Sequence, residues 1–335
     1  MWRLLRAGNA SIQGVAILFL AAIASLLYAN TDRDSGPERA TAAASSTAAG
    51  VTSVQATASV PAPPPASSEQ LATQIMHQAL LQSVWGPPAW CQVKQQLQTH
   101  GQRFTGFGKY VRAGEGSGKL NLSIQLSTDS GQNTLLQVAD GQRLQTIQAL
   151  GNERKRSVVD LDEVHDDLKA RFSINNRDPQ IALYLAIGGQ AESIRKLCQQ
   201  YQWYRVREGK YGGQAVWILN GRLNQNAPAV RALAMVDQKL FSQNLSGLLP
   251  TEAQVAVGKA DSKSGLPYWL YQVEHRRSAS ELSALNSATE LLLVTQWSNP
   301  QVLESEKLTA NHFQVTSTND PWIEETDLYL PPRTR

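Results

Sequence analysis

Leu120, Leu122, Ile124 and Leu126 alternate with Asn121, Ser123, Gln125 and Ser127, the period of a strand that is wet on one face. A strand over Phe104 to Arg112 precedes it, joined through Gly114-Glu115-Gly116-Ser117-Gly118. Asp140-Gly141, set between Leu135–Val138 and Arg143–Gln148, marks a hairpin. Two further hairpins are predicted: Trp203–Arg207 with Ala215–Asn220 through Gly209 to Gly213, and Ala253–Lys259 with Tyr268–His275 through Asp261 to Gly265. Leu291–Trp297 is expected to pair with His312–Thr316. Helical spacing appears in three places. Ser68 reads as the N-cap of a helix from Glu69 to about Val84, with Leu71, Ile75, Ala79 and Leu80 on one face. Gly86-Pro87-Pro88 stops it, and a shorter helix from Ala89 to His100 is expected next. Asp160 to Ala170 carries Leu161, Val164 and Leu168 at helical spacing. A last pattern runs from Pro179 to Gln200, with Asp178 suited to its cap, Pro179 to its first turn and Gly188-Gly189 to a break. The fold expected is mostly β (α+β): an antiparallel sheet with helices, N-terminal and mid-chain, that plug or cover one concave face.

The N-terminal pattern is different. Gly14 to Ala29 reads GVAILFLAAIASLLYA, with Arg3 and Arg6 before it. Basic residues ahead of an apolar run predict a cytoplasmic N-terminus and an exported bulk. The run falls between a signal-peptide core and the roughly 20 residues of a full span, which Ala10 to Gln13 help to complete. Leu27-Tyr28-Ala29 makes a poor cleavage site. Two readings stay open, an uncleaved signal anchor and a cleaved signal peptide. No Cys follows the run closely, so a lipid-modified N-terminal Cys is excluded. From 31 to 66 the chain is small, polar and Pro-punctuated, ending in Pro61-Ala62-Pro63-Pro64-Pro65. Such a linker is a flexible tether spanning on the order of 35 Å as a coil. The expected organisation is therefore 1–30 anchor or signal peptide, 31–66 linker and 67–335 folded domain.

Composition narrows the class. The chain of 335 residues carries 31 basic and 28 acidic side chains, a net charge of +3. That near-neutral balance argues against nucleic acid as a partner. Cys91 and Cys198 are the two cysteines. Outside the cytoplasm they either form one disulfide or stay as two buried free thiols, and they lack metal-ligand spacing.

Catalytic chemistry is hard to find. Gly114 to Lys119 invites a phosphate-loop reading, but Ala113 stands where the first Gly belongs and Leu120 where Ser or Thr belongs. A glycine turn between strands is the better reading. Asp160 to Asp167 packs carboxylates around His165; acidic residues in a first helical turn are favoured by the helix dipole alone, so a solvated face is preferred to a metal site. No Ser sits in G-x-S-x-G. No cofactor is implied, and the chain is not expected to be an enzyme. Tyr268 to Val273 is the most aromatic strand, and it reads equally as sheet core or as the lining of an apolar cavity.

The order of an exported helix, GFGKYVRAGEGSGKLNLSIQ, LLQVADGQRLQTIQ, VVDLDEV and a helical insertion resembles the LolA/LolB-like lipoprotein-carrier superfamily. The hairpin pattern V-x-D-G-x-x-L-x-T appears as Val138 to Thr146, and Pro321 to Leu330 resembles the late polar-aromatic tail. The resemblance covers about Ser67 to Leu330. It implies an unclosed β half-barrel whose concave apolar face, covered by helices, binds lipid or lipoprotein acyl chains without covalent chemistry. By the same resemblance Leu122, Ile124, Val138, Leu144, Val216, Ile218, Trp269, Tyr271 and Val273 line the cavity. Pro179 to Gln200 forms the lid, and Arg112 latches strand to lid. The implied setting is the periplasmic face of a bacterial cytoplasmic membrane, or the periplasm itself if the N-terminal segment is removed. The alternative is a tethered regulatory or scaffolding module that binds an envelope protein through the same fold.

Overall fold

The computed structural model describes residues 67–99, 102–128, 131–151, 153–172, 177–227, 250–262, 264–277, 290–314 and 321–330. The apolar run of Gly14 to Ala29 and the linker at 31–66 lie outside them. Among the described residues no helix is long and apolar enough to cross a membrane.

Twelve strands form one sheet: β1 (Ala89–Thr99), β2 (Gln102–Arg112), β3 (Lys119–Thr128), β4 (Gly131–Asp140), β5 (Arg143–Leu150), β6 (Glu153–Asp160), β7 (Tyr201–Tyr211), β8 (Gln214–Leu223), β9 (Glu252–Gly258), β10 (Leu270–Arg277), β11 (Glu290–Val302) and β12 (Ile323–Glu324). Their spatial order is β12-β6-β5-β4-β3-β2-β1-β11-β10-β9-β8-β7. The sheet ends at β12 and β7 and does not close. Every pair is antiparallel except β12 with β6. Two meanders, β1 to β6 and β7 to β11, thus meet where β1 pairs with β11.

Four helices accompany the sheet: α1 (Ser68–Trp85), α2 (Leu161–Arg171), α3 (Pro179–Leu185) and α4 (Gly189–Gln200). A capping box opens α1, in which Ser67 Oγ accepts from Gln70 N–H at 3.2 Å and Gln70 Oε1 accepts from Ser67 N–H at 3.1 Å. The cap is therefore Ser67, one residue before the expected Ser68. Asp160 caps α2 and Asp178 caps α3, with Pro179 in the first turn as expected. The chain breaks at Gly188, φ 76°, before α4. At the β4–β5 turn Asp140 Oδ1 accepts from Gln142 and Arg143 N–H, both at 2.8 Å, and Gly141 takes φ 99°.

Residues paired across strands share a face. Leu122 and Ile124 of β3 face Tyr110 and Gly108 of β2, then Cys91 and Val93 of β1. Val93 pairs with Trp297 of β11, whose Thr295 pairs with Val273 of β10, and Val273 pairs with Val255 of β9. This continuous apolar face, the inner face, buries Ala72, Ile75, Met76, Ala79 and Leu80 of α1 in one core. Ala182 of α3 and Ile194 and Leu197 of α4 join the same core. α1 packs on β7, α3 and α4, and α4 also rests on β3. At least one apolar stripe per helix is thereby covered.

Two expectations are corrected, and one alternative left open is decided. Ala89 to His100 was expected to be helical, yet Ala89 to Thr99 is β1. Ala89, Cys91, Val93 and Leu97 have period two, and pairing with β2 and β11 overrides the helix propensity of the intervening Gln and Lys residues. Leu291–Trp297 does not pair with His312–Thr316. It lies in β11 between β1 and β10, while Ala310–Phe313 forms a 3-10 turn over the other face; 315 and 316 lie outside the described residues. No disulfide joins Cys91 and Cys198, which are both free. Cys91 is in β1 and Cys198 in α4. Burial pushes the Cys91 thiol up, against the pull of Arg112, and pushes Cys198 up to about 12.

His275 of β10 pairs in register with Ala253 and Leu293, and its Nδ1 lies 3.1 Å from the Tyr201 hydroxyl. Burial pushes it from 6.5 down to about 4. Between those values the unfolded chain binds a proton that the folded chain refuses, so stability is lost as pH falls through that window. His77 is lowered by burial in the same direction. We expect the thermal midpoint to fall between about pH 6.5 and about pH 4, and His275→Asn to flatten that fall. Equal slopes for the two proteins would assign it to other groups.

Candidate functional site

The inner face is the region that the topology prepares, because strand alternation collects its apolar residues and the helices cover them. Of the residues expected to line it, Leu122, Ile124, Leu144 and Val273 project there and are buried. Trp269 sits just before β10, donating from Nε1 to Trp297 O at 3.3 Å. The others differ in register, although Val216 and Tyr271 are buried in the same core and Ile218 packs against it. Val138 pairs with Asn121, on the opposite face from Leu122, and packs with Val111 and Phe313 beneath the segment that follows β11. Asn121 Nδ2 donates to His312 O at 2.7 Å over the same patch. Val216 and Ile218 pair with Gly258 and Ala256, so they project opposite to Val255 and Val257. Tyr271 is the extra residue of a bulge in β10; it meets Tyr211 at 5.6 Å and its hydroxyl donates to Ser264 Oγ at 3.4 Å. A bulge turns a side chain out of strict alternation, which a period-two reading of Trp269, Tyr271 and Val273 as one stripe does not anticipate.

The junction of α3 and α4 is where lid meets sheet. Gly189 N–H donates to Gln137 Oε1 of β4 at 3.0 Å, and Gln190 Nε2 donates to Leu270 O of β10 at 3.0 Å. Tyr110 of β2 lies against Gly189, where an added Cβ would come within 2.6 Å of its ring. Burial pushes the Tyr110 hydroxyl up to about 12, despite Arg112 and a backbone hydrogen bond from Gln190. Two residues thus tie the lid to three strands. Gln137 and Gln190 were not singled out from sequence. The available signal was Gln137, a polar side chain at an inner-face position between Leu135 and Ala139.

Further along α4, Glu192 is buried at 7 % exposure. Burial alone would raise its pKa. Lys196 at 2.9 Å, Arg195 at 3.7 Å and the Gly188 N–H at 3.2 Å instead hold its carboxyl below the usual range. Arg195 stacks on the Tyr329 ring at 5.0 Å, and the Tyr329 hydroxyl donates to Glu192 at 3.5 Å. The C-terminal segment is anchored again where Asp160 N–H donates to Thr326 Oγ1 at 2.7 Å and Lys155 pairs with Glu325 at 2.8 Å.

Arg112, expected to be the latch, faces inward at the end of β2, paired with Ala89 and Leu120. Its guanidinium lies over the Trp269 ring at 5.2 Å, while its Nε and Nη1 have no hydrogen-bond partner. Burial pushes its pKa down, against the influence of Tyr110 and Cys91. A cavity of about 40 Å³ adjoins it, room for about three waters. The glycine segment at 114–118 forms one wall. Glu115 and Gly116 N–H donate to Gly86 O and Val84 O, fastening the end of α1 and leaving those two groups unavailable to a phosphate. In the acidic stretch, Asp166 pairs with Lys169 and Asp167 with Arg171, the pattern of a solvated helix face, although half-buried His165 reaches the cavity. Among the described residues no three His, Cys, Asp or Glu side chains come together as a metal-holding group.

No family model and no curated protein matches the chain. Solved structures to which it is similar include LprF from Mycobacterium bovis, 11 % identical over 71 % of this chain and 97 % of that one, with a TM-score of 0.33. They also include the MucA/MucB complex of Pseudomonas aeruginosa, 12 % identical over 74 % of this chain and 64 % of that one, with a TM-score of 0.34. A LolA superfamily protein from Nitrosomonas europaea is 9 % identical over 72 % of this chain and 97 % of that one, with a TM-score of 0.26.

Gly189 combines φ 57° with the close approach of Tyr110. Gly189→Ala is expected to cost about 1–3 kcal/mol, read as a lower urea midpoint, with faster amide hydrogen exchange across α4. Unchanged exchange in α4 would remove the junction's role as its fastening.

Proposed function

We propose that the inner face binds the acyl chains of a lipid or lipoprotein, with α1, α3 and α4 as a displaceable cover. The observation that carries this reading is a continuous apolar face on an unclosed sheet, covered by helices that are tied to it by few polar contacts, α4 at Gly189 and Gln190 and α1 where Ser68 Oγ accepts from Val206 N–H. The residues now covered by helix side chains are those an acyl chain would cover. About ten buried methylenes gain on the order of 8 kcal/mol, to be set against the helix burial given up and the two hydrogen bonds at the junction, worth about 0.5–1.5 kcal/mol each. Binding is thus an exchange of one apolar cover for another. In this reading the protein works on the exported side of the cytoplasmic membrane, and the linker at 31–66 sets its reach.

Native mass spectrometry with lipid extraction tests this on residues 67–335 purified from a bacterial envelope without detergent. Lipid or acylated protein at near unit stoichiometry is expected, and Ile124→Asp, checked for folding by circular dichroism, should lose it. An apo protein that also refuses added phospholipid would overturn the reading in favour of a protein-binding module. For that second reading the favouring observation is the outer edge of β7, which has no strand partner among the described residues.

A further inference from the structure

Arg112 is 3 % exposed. Its Nε and Nη1, carrying three N–H donors between them, have no hydrogen-bond partner, and the side chain lines the cavity beside β2 and β3. Burying a cation without a partner costs several kcal/mol. Lys119 of β3 and His165 of α2 line the same cavity, and no Asp or Glu is among its lining residues. The acidic groups that act on His165 are Asp162 and Asp166, with Lys169 opposing them. Gly114, Gly116 and Gly118 form one wall of the space.

We infer that this cavity is a binding site for a phosphate-class oxyanion. Donors from β2, β3 and α2 come from three elements, which suits a tetrahedral anion with several free oxygens better than a planar one. Its volume of about 40 Å³ admits one such group in place of about three waters. Arg112 forms the buried contact and Lys119, which is exposed, guards the mouth. Tyr110 and Leu120 are shared between the cavity and the inner face. The anion is therefore either free phosphate or the phosphate of a lipid whose chains lie along that face. The inference does not depend on acyl-chain binding, because inorganic phosphate alone tests it.

The test uses the full chain in mild detergent and phosphate-free buffer. Isothermal titration is run with inorganic phosphate, with dihexanoyl phosphatidic acid and with dihexanoylglycerol. Wild type is expected to bind phosphate, Arg112→Met to bind it about tenfold or more weakly, and Lys119→Ala about threefold more weakly. Phosphatidic acid binding far more tightly than phosphate, with dihexanoylglycerol weak, would identify a lipid headgroup. Equal affinities for phosphate and phosphatidic acid would identify the free anion. If Arg112→Met fails to fold, Lys119→Ala decides, since Lys119 lies on the surface. No binding of either phosphate compound by wild type, or equal binding by wild type and Lys119→Ala, overturns the inference.

Discussion

An antiparallel sheet that does not close must cover an apolar face without help from itself. In a closed barrel the inward residues meet one another, whereas here Leu122, Ile124 and Val273 project from a surface that ends at β12 and β7. Covering that face is the constraint from which the remaining architecture follows. It explains why α1 begins with a full capping box, since the helix must be formed where its apolar side meets the sheet. It also explains why the helical insertion sits between the two meanders. From there one segment reaches β2, β4 and β10 together.

How the cover is fastened bears on what it can do. Apolar packing is non-directional, so the register of α4 on the sheet is set by polar contacts, and these lie at Gly189 and Gln190. Glu192, also buried in α4, is satisfied within α4 and by the C-terminal segment through Lys196, Arg195 and Tyr329. Its charge therefore travels with the helix and need not be exposed to an uncompensated apolar surface when the helix shifts. A cover with few directional ties to the sheet and internally paired charges is cheap to displace and specific when seated.

The hairpins were legible because each carries local information: Asp140-Gly141 names its turn, and Leu120 to Ser127 alternates without interruption. The breaks and caps at Asp178, Pro179 and Gly188 were legible for the same reason. β1 was not. Its identity depends on pairing with β2 on one side and β11, about two hundred residues away, on the other, and no local pattern encodes a partner so distant. The site was legible to the same extent. Four strand positions fall on the inner face because alternation within one strand is reliable. Val138 lies on the other face, and Val216 and Ile218 fall out of phase with Val255 and Val257, because alternation fixes which residues share a face and leaves open which face looks inward. Bulges at Trp90/Gln92, Trp203/Arg205 and Leu270/Gln272 shift that phase again.

Arg112 is the residue for which packing alone gives no sufficient account. Its contact with Trp269 is worth about 0.5–2 kcal/mol as a cation–π pair. The desolvation of a buried guanidinium whose Nε and Nη1 lack partners costs several kcal/mol, and an arginine stays charged near pH 7. Tyr110 and Cys91 offer no relief, because burial keeps the phenol and the thiol protonated and uncharged. A methionine of similar length would pack against Trp269 without the penalty. A charge at this position is of use in a state where it is paired. Its unpartnered donors and the cavity lined also by Lys119 and His165 are what an entering anion would use.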